Sequence, residues 1–374
     1  MHSIKWREME GSPIDIVVLA PLAPILGVLL FWFIQLLFIE SEKFLLGKIR
    51  QKHDSLCRFT NFLGILFQSI CHALGFTVTK SGISDFYISV DYGRVAPKKE
   101  RTGVFEWISN VFLFVGPFFI PAFLLLICLF FLINGGVGVA IPGNIIEIKY
   151  TFIGQINILG TSLYNFSQNF FGFLLNIDLF HPGHFGFLIL LIFFGMGIRP
   201  SYIGERKKEK IDIFYDLKNI WSLIRKKPLY IIVLFLFFYI IFYISVIFNQ
   251  IWYVTLFSVF GWLSIISIAS IFIADIILLE IKTTDKISGF WKFIPYITIP
   301  ISYILTRLVF NFFPTDYTLL ISLLTMIFST AIVTILLLKY KTNKFKTKPK
   351  MELLRGKDVE EKNGKGKTSR KRAD

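Results

Sequence analysis

Charged side chains are scarce in this chain. Asp, Glu, Lys and Arg make up 17% of its 374 residues, whereas 54% are hydrophobic and 43 residues are Phe. A soluble domain of this length needs more charge to cover its surface, so the composition argues against an ordinary soluble fold and for lipid as the solvent. Cysteine is sparse as well. Cys57, Cys71 and Cys128 have no paired spacing, and two of them lie in apolar runs. A disulfide framework is therefore not expected, and the three read as small buried hydrophobes. The sequence also lacks a Cys-x-x-Cys pair, a phosphate-cradling glycine loop and a nucleophile elbow. Residues 1–14 mix charges without a small-residue cleavage site, so they do not read as a removable signal peptide.

The net charge of +15 is local. After Leu338 the chain carries fourteen Lys or Arg and five Asp or Glu, which accounts for +9 of that total. This rules against a distributed nucleic-acid face. The tail has almost no apolar residues beyond Met351, Leu353 and Leu354, so residues 339–374 are expected to be a basic, disordered segment beside an integral membrane domain of residues 1–338.

A helix crosses the hydrocarbon of a bilayer with about 20 apolar residues. Segments that meet or approach this length are residues 16–38, 107–133, 184–198, 229–248, 252–279, 293–310 and 319–338, of which the third is short and expected to begin earlier. An eighth run, residues 59–78, is ambiguous because it contains Gln68, Ser69 and His72. The following stretch, rich in β-branched and aromatic residues, predicts a small hairpin near residues 76–95 with strands at Thr77–Thr79 and Phe86–Val90. The expected fold is an all-α polytopic membrane protein with about seven or eight transmembrane helices and that hairpin.

Lys and Arg in short loops mark the cytoplasmic side. Residues 199–227 hold nine and residues 80–101 hold five, while residues 134–181 hold only Lys149. The expected orientation puts residues 134–181 outside and the C-terminus in the cytoplasm of a multi-pass cell-membrane protein. With residues 59–78 lying flat or dipping there are seven crossings and an outer N-terminus, the preferred count; with that run spanning there are eight and an inner N-terminus. Residues 211–224 repeat apolar side chains at helical spacing and end on Arg225, Lys226 and Lys227, which predicts an interfacial helix. A second amphipathic candidate covers residues 164–177. The expected partners are the bilayer, anionic lipid headgroups at the basic loops and tail, and proteins of unknown identity; nucleic acid is disfavoured.

Residues that could carry chemistry are few. Asp275 and Arg307 are ionisable groups inside spans, which makes them functional candidates by default. Their depths differ, so a direct pair is not expected; Asp275 lies about 1.5 turns from the inner end of its span. His181-Pro182-Gly183-His184 has a spacing that binds metal when both rings share a helix face, but Pro and Gly favour a helix-start turn.

An apolar helix ending in Gly75-Phe76-Thr77-Val78, a hairpin ending in Tyr92-Gly93-Arg94-Val95-Ala96-Pro97, a span containing Gly116-Pro117, and a later Arg199-Pro200-Ser201 leading into a basic helix occur in that order. This order resembles the site-2-protease-like family of intramembrane zinc metalloproteases, over a little under half of the chain. The family carries His-Glu-x-x-His, two imidazoles for zinc and a glutamate that activates water. The matching positions here are Gly64, Ile65 and Gln68 in one register, or Gln68, Ser69 and His72 in the other, and Glu205 is the only candidate for the distal carboxylate. The resemblance thus implies a relative without the zinc motif. No catalytic, cofactor or metal residue is assigned and zinc is not expected. The expected function is a non-catalytic scaffold or binding protein on a degenerate protease-like core. The alternatives are a transporter or channel for a small solute or ion, supported if Asp275, Arg307 and Gln68 line one cavity, and a membrane-embedded hydrolase with an atypical site involving Cys71, His72, His181 or His184.

Overall fold

The computed structural model describes residues 12–90, 92–132, 149–198, 213–287, 289–313 and 315–340; the side chains of residues 213–216 and 219 are not described. Arg199-Pro200-Ser201, Glu205 and nearly all of the basic tail lie outside the described residues. The chain divides into two compact units, Met1–Leu279 and Glu280–Asp374.

The helices are α1 (Ala20–Ile49), α2 (Asp54–Val78), α3 (Val104–Leu132), α4 (Phe152–Leu175), α5 (Pro182–Gly197), α6 (Ile213–Lys226), α7 (Pro228–Ile247), α8 (Trp252–Thr284), α9 (Ile294–Phe312) and α10 (Thr318–Tyr340). Between α2 and α3 stand the strands β1 (Ile83–Ile88) and β2 (Gly93–Pro97), an antiparallel pair. Among the described residues seven helical segments are long and apolar enough to cross a membrane: Asp15–Ile49, Asp54–Val78, Val104–Leu132, Pro228–Ile247, Trp252–Thr284, Gly289–Phe312 and Thr318–Tyr340. The protein is an all-α multi-pass membrane protein with one small hairpin.

Three sequence expectations shift in detail. The run at residues 59–78 is one unbroken helix, α2, and ranks among the seven, because its polar residues do not interrupt the backbone ladder. The apolar run expected at residues 184–198 is α5, of 16 residues, or roughly 24 Å at 1.5 Å per residue, and it falls short of the length a crossing needs. The first strand predicted at Thr77–Thr79 is the end of α2 instead. There the Thr79 hydroxyl donates to the Gly75 carbonyl at 2.8 Å, and positive φ at Lys80 (53°) and Gly82 (67°) turns the chain before β1 begins.

Residues 134–181 also hold more structure than a loop. The amphipathic candidate at residues 164–177 belongs to the longer helix α4, whose buried side includes Gln155, Leu159, Leu163 and Phe166. Its glycines and amides depress its hydropathy without preventing a helix. The Thr151 hydroxyl caps it by accepting from Gly154 N–H, and its Phe152 N–H donates to Asp15 Oδ1 at 3.0 Å. The interfacial helix expected from residues 211–224 is α6, on which Trp221 is exposed and Leu217 packs on the core.

The first unit is organised around α1, α7 and α8. A π-helical turn at Asp15–Leu19 leads into α1, and Pro21 has no N–H to give back to it. The carbonyls of Val17 and Val18 accept instead from the hydroxyls of Tyr243 and Tyr239 on α7, at 2.9 and 2.8 Å. Three contacts then climb α1 and α8 in the same order. The Tyr253 hydroxyl donates to the Pro21 carbonyl, the rings of Phe38 and Phe272 meet edge to face at 6.2 Å, and Ser41 hydrogen-bonds Asp275. The two helices are therefore parallel, and α7, joined to α8 by a short turn, is antiparallel to both. Leu36 and Ile39 of α1, Phe118 of α3, Ile198 at the end of α5 and Ile271 of α8 form an apolar cluster inside this unit.

Close approaches are made by small residues, as lipid-solvated helix pairs require. A Cβ at Gly75 would lie 3.2 Å from the Ser109 backbone, and one at Gly195 would collide with the Ser270 carbonyl, so α3 sits tightly on α2 and α8 on α5. In the second unit the Thr334 hydroxyl donates to Glu280 Oε1 at 2.6 Å, and Thr284 and Tyr296 share a hydrogen bond of 2.7 Å.

Two outcomes follow. Gly195→Leu lowers stability by about 1–3 kcal/mol, read by thermal unfolding in detergent, whereas Gly186→Leu on the same helix, where a Cβ meets nothing within 4 Å, does not. The Tyr150 hydroxyl lies 3.2 Å from Asn249 Oδ1 and 3.4 Å from the Ser245 carbonyl, and burial pushes its pKa up to about 12. Its neutral form is the one the fold holds, so this contribution is complete below about pH 10 and is lost as pH rises toward the folded value. A Tyr150→Phe variant lacks that component in a pH series of unfolding temperatures.

Candidate functional site

In an apolar bundle the informative residues are polar ones that folding has removed from solvent. Here they collect where α1 meets α3 and α8. Gln35 and Glu42 stand seven residues apart on α1, which places them on one face, and both are buried, Gln35 at 0% and Glu42 at 1% exposure. On α8, Ser264, Ser267 and Ser270 are fully buried and Asp275 is 9% exposed.

The site is built on an interruption in α3. Pro117 and Pro121 remove backbone donors from that helix. On the turn between them the Phe118 carbonyl accepts from Gln35 Nε2 at 2.8 Å and from Ser267 Oγ at 3.3 Å. The Trp32 ring meets Phe118 edge to face at 5.7 Å. One heptad along, Ser41 hydrogen-bonds the Asp275 carboxylate, and that carboxylate acts electrostatically on Glu42. The Ser270 hydroxyl donates to the Leu191 carbonyl of α5. Between the two polar levels lie Leu36, Ile39 and Ile271 of the apolar cluster.

Several atoms of this seam have no hydrogen-bond partner: Trp32 Nε1, Gln35 Oε1 and Glu42 Oε1 on α1, and Ser264 Oγ and Asp275 Oδ1 on α8. Unsatisfied buried polar groups are costly and uncommon, so their concentration along one helix pair marks the seam as a site.

The residues singled out from sequence are placed as follows. Asp275 is buried within its helix as expected, but α8 continues to Thr284, so it stands about 2.5 turns from the helix end rather than 1.5 and faces α1. Arg307 is half-buried on α9 in the second unit. Gln68 and His72 are half-buried on α2, with His72 beside the Phe76 ring at 5.7 Å, and Cys71 is buried with Gly116 packed on its sulfur. His181 is the N-cap of α5, its Nδ1 accepting from His184 N–H at 3.3 Å, while His184 Nδ1 accepts from Asp178 N–H at 3.2 Å. Both Nδ1 atoms are thus engaged in a helix-start turn. Among the described residues no three His, Cys, Asp or Glu side chains are grouped so as to hold a metal.

Glu42 and Gln35 are the residues that sequence reading passes over. The first apolar run ends at residue 38 by hydropathy, which leaves Glu42 in a basic loop; their shared heptad position with Asp275-like burial on a continuing helix is the signal that finds them. Comparison with family models, with curated proteins and with solved structures found no match.

Gln35→Met keeps the volume, removes an unsatisfied acceptor, and leaves the Phe118 carbonyl bonded by Ser267. Its stability is expected within about 1 kcal/mol of wild type. Gln35→Glu adds a buried charge and lowers the unfolding temperature markedly in the same assay at neutral pH.

Proposed function

We propose that this multi-pass membrane protein works by binding and not by zinc hydrolysis, as a scaffold or substrate-binding protein on a site-2-protease-like helix–hairpin–helix core formed by α2, β1–β2 and α3. The observation that carries this reading is the packing of Gly93 on α2. Its Cα stands so close that a Cβ would lie 2.5 Å from Ser69 Oγ and 2.8 Å from Ile65 Cγ2. Ile65 and Ser69 are the positions that match the water-activating glutamate in the two possible registers of the motif. The close seat of β2 backbone on the two positions that the resemblance matches to the reactive glutamate supports this reading, and Asn61 fixes the hairpin by donating from Nδ2 to the Val90 carbonyl at 2.8 Å.

The proposed orientation rests on the parallel pair. α1 runs toward Lys48, Arg50 and Lys52 and α8 toward Lys282, so the positive-inside rule puts those ends and the basic tail in the cytoplasm and the N-terminus outside. The Glu106–Lys227 ion pair, at 3.1 Å, ties the start of α3 to the start of α7, and Arg225 and Lys226 end α6 among anionic headgroups.

Chelator-stripped protein reloaded with zinc and freed of excess is expected to retain well under one equivalent by metal analysis, with His72→Ala and His181→Ala indistinguishable from wild type. One zinc per chain that either substitution removes overturns the reading and makes a hydrolase the better account.

A further inference from the structure

The polar seam between α1 and α8 plays no part in the core proposed above, and it carries an inference of its own. Glu42 and Asp275 are two carboxyls from different helices, both at least nine-tenths buried, brought to one level by the parallel register of α1 and α8. Each presents an oxygen that nothing hydrogen-bonds. A third acceptor without a donor, Gln35 Oε1, is wholly buried one heptad away on the same face of α1. At the level of the two carboxyls both orphaned atoms are acceptors, and the unpartnered donors Trp32 Nε1 and Ser264 Oγ stand seven or more residues away along α1 and α8.

Counter-charge does not supply the deficit. Lys43 follows Glu42 on α1, but its Nζ is paired with Glu40 Oε1 at 3.0 Å. The packed elements offer little else. On α8 the next ionisable residue is Glu280, which accepts from Thr334. On α3 there is only Glu106, in the first turn and paired with Lys227; on α5 only His184, also in the first turn; on α2 Asp54 and Arg58, near its start, and His72, beside the Phe76 ring near its end; and on α6, among its described side chains, Lys218, Arg225 and Lys226. Two carboxylates held together out of water cannot both stay ionised. One proton removes one negative charge and turns one orphaned acceptor into the missing donor.

We propose that Glu42 and Asp275 form a proton-binding pair that holds one proton between them at neutral pH. The pair lies about two turns from the end of α1. The Glu40–Lys43 ion pair beside it, whose Glu40 side chain is 32% exposed, leads to water on that side, and the proton exchanges by this route. On the other side Ile39, Ile271 and Leu36 separate the pair from the Gln35–Ser267–Phe118 level and bar a continuous polar path.

The test is infrared spectroscopy of the full chain in nanodiscs of neutral lipid. At neutral pH wild type is expected to show the carbonyl stretch of one protonated carboxyl per chain, and the band shifts in heavy water because the proton exchanges. Glu42→Gln and Asp275→Asn, which keep the side-chain shape, each abolish it, whereas Glu40→Gln leaves it intact. No protonated carboxyl in wild type overturns the proposal without reference to any variant. So does a band that survives both substitutions, and so does a band that sodium removes at fixed pH, which identifies a cation site.

Discussion

A polar side chain carried into the apolar part of a membrane helix must find a partner on another helix, because neither lipid nor its own backbone can satisfy it. In the first unit of this protein that requirement falls on the contact between α1 and α8. Their parallel register sets which residues meet: Pro21 with Tyr253, Phe38 with Phe272, Ser41 with Asp275. The other elements answer to this pair. α7 runs back along it through Tyr239 and Tyr243, α3 offers the Phe118 carbonyl to both helices at once, and α5 reaches α8 because Gly195 leaves room for the Ser270 backbone.

The helix–hairpin–helix unit of α2, β1–β2 and α3 obeys a different constraint. Strand backbone beside a membrane helix is tolerable when protein covers it. Asn61 and the close seat of Gly93 on Ile65 and Ser69 supply that cover from one face of α2, and the Thr79 hydroxyl, within 3.1 Å of Ser109 and 2.9 Å of Ser81, closes the junction with α3.

Composition and apolar run length made the class of fold legible, and most helices fall within a few residues of where the runs lie. The departures have physical causes. Gly154, Gly160, Gly172 and the amides of α4 dilute its hydropathy, although its apolar face against α1 is intact. Thr77 and Val78 read as strand by residue type, yet the Thr79 hydroxyl and the Gly75 approach to Ser109 keep them helical. Asp275 was legible because a charge inside an apolar run stands out. Glu42 was not, because it follows the run's apparent end in the company of Glu40 and Lys43 and only the continuation of α1 to Ile49 brings it inside. The pairing of the two acids depends on helix register, which no single run displays.

The parallel pairing of α1 and α8 underlies the seam and the orientation alike, and cysteine cross-linking in native membranes tests it most directly. In a background with Cys57, Cys71 and Cys128 replaced by Ser or Ala, Phe38→Cys and Phe272→Cys should join through a short thiol-specific linker, as should Pro21→Cys and Tyr253→Cys. Joining of residue 38 to residue 253, with neither expected pair formed, would mean that the helices run antiparallel, and the seam, the carboxyl pair and the proposed orientation would fall with the register.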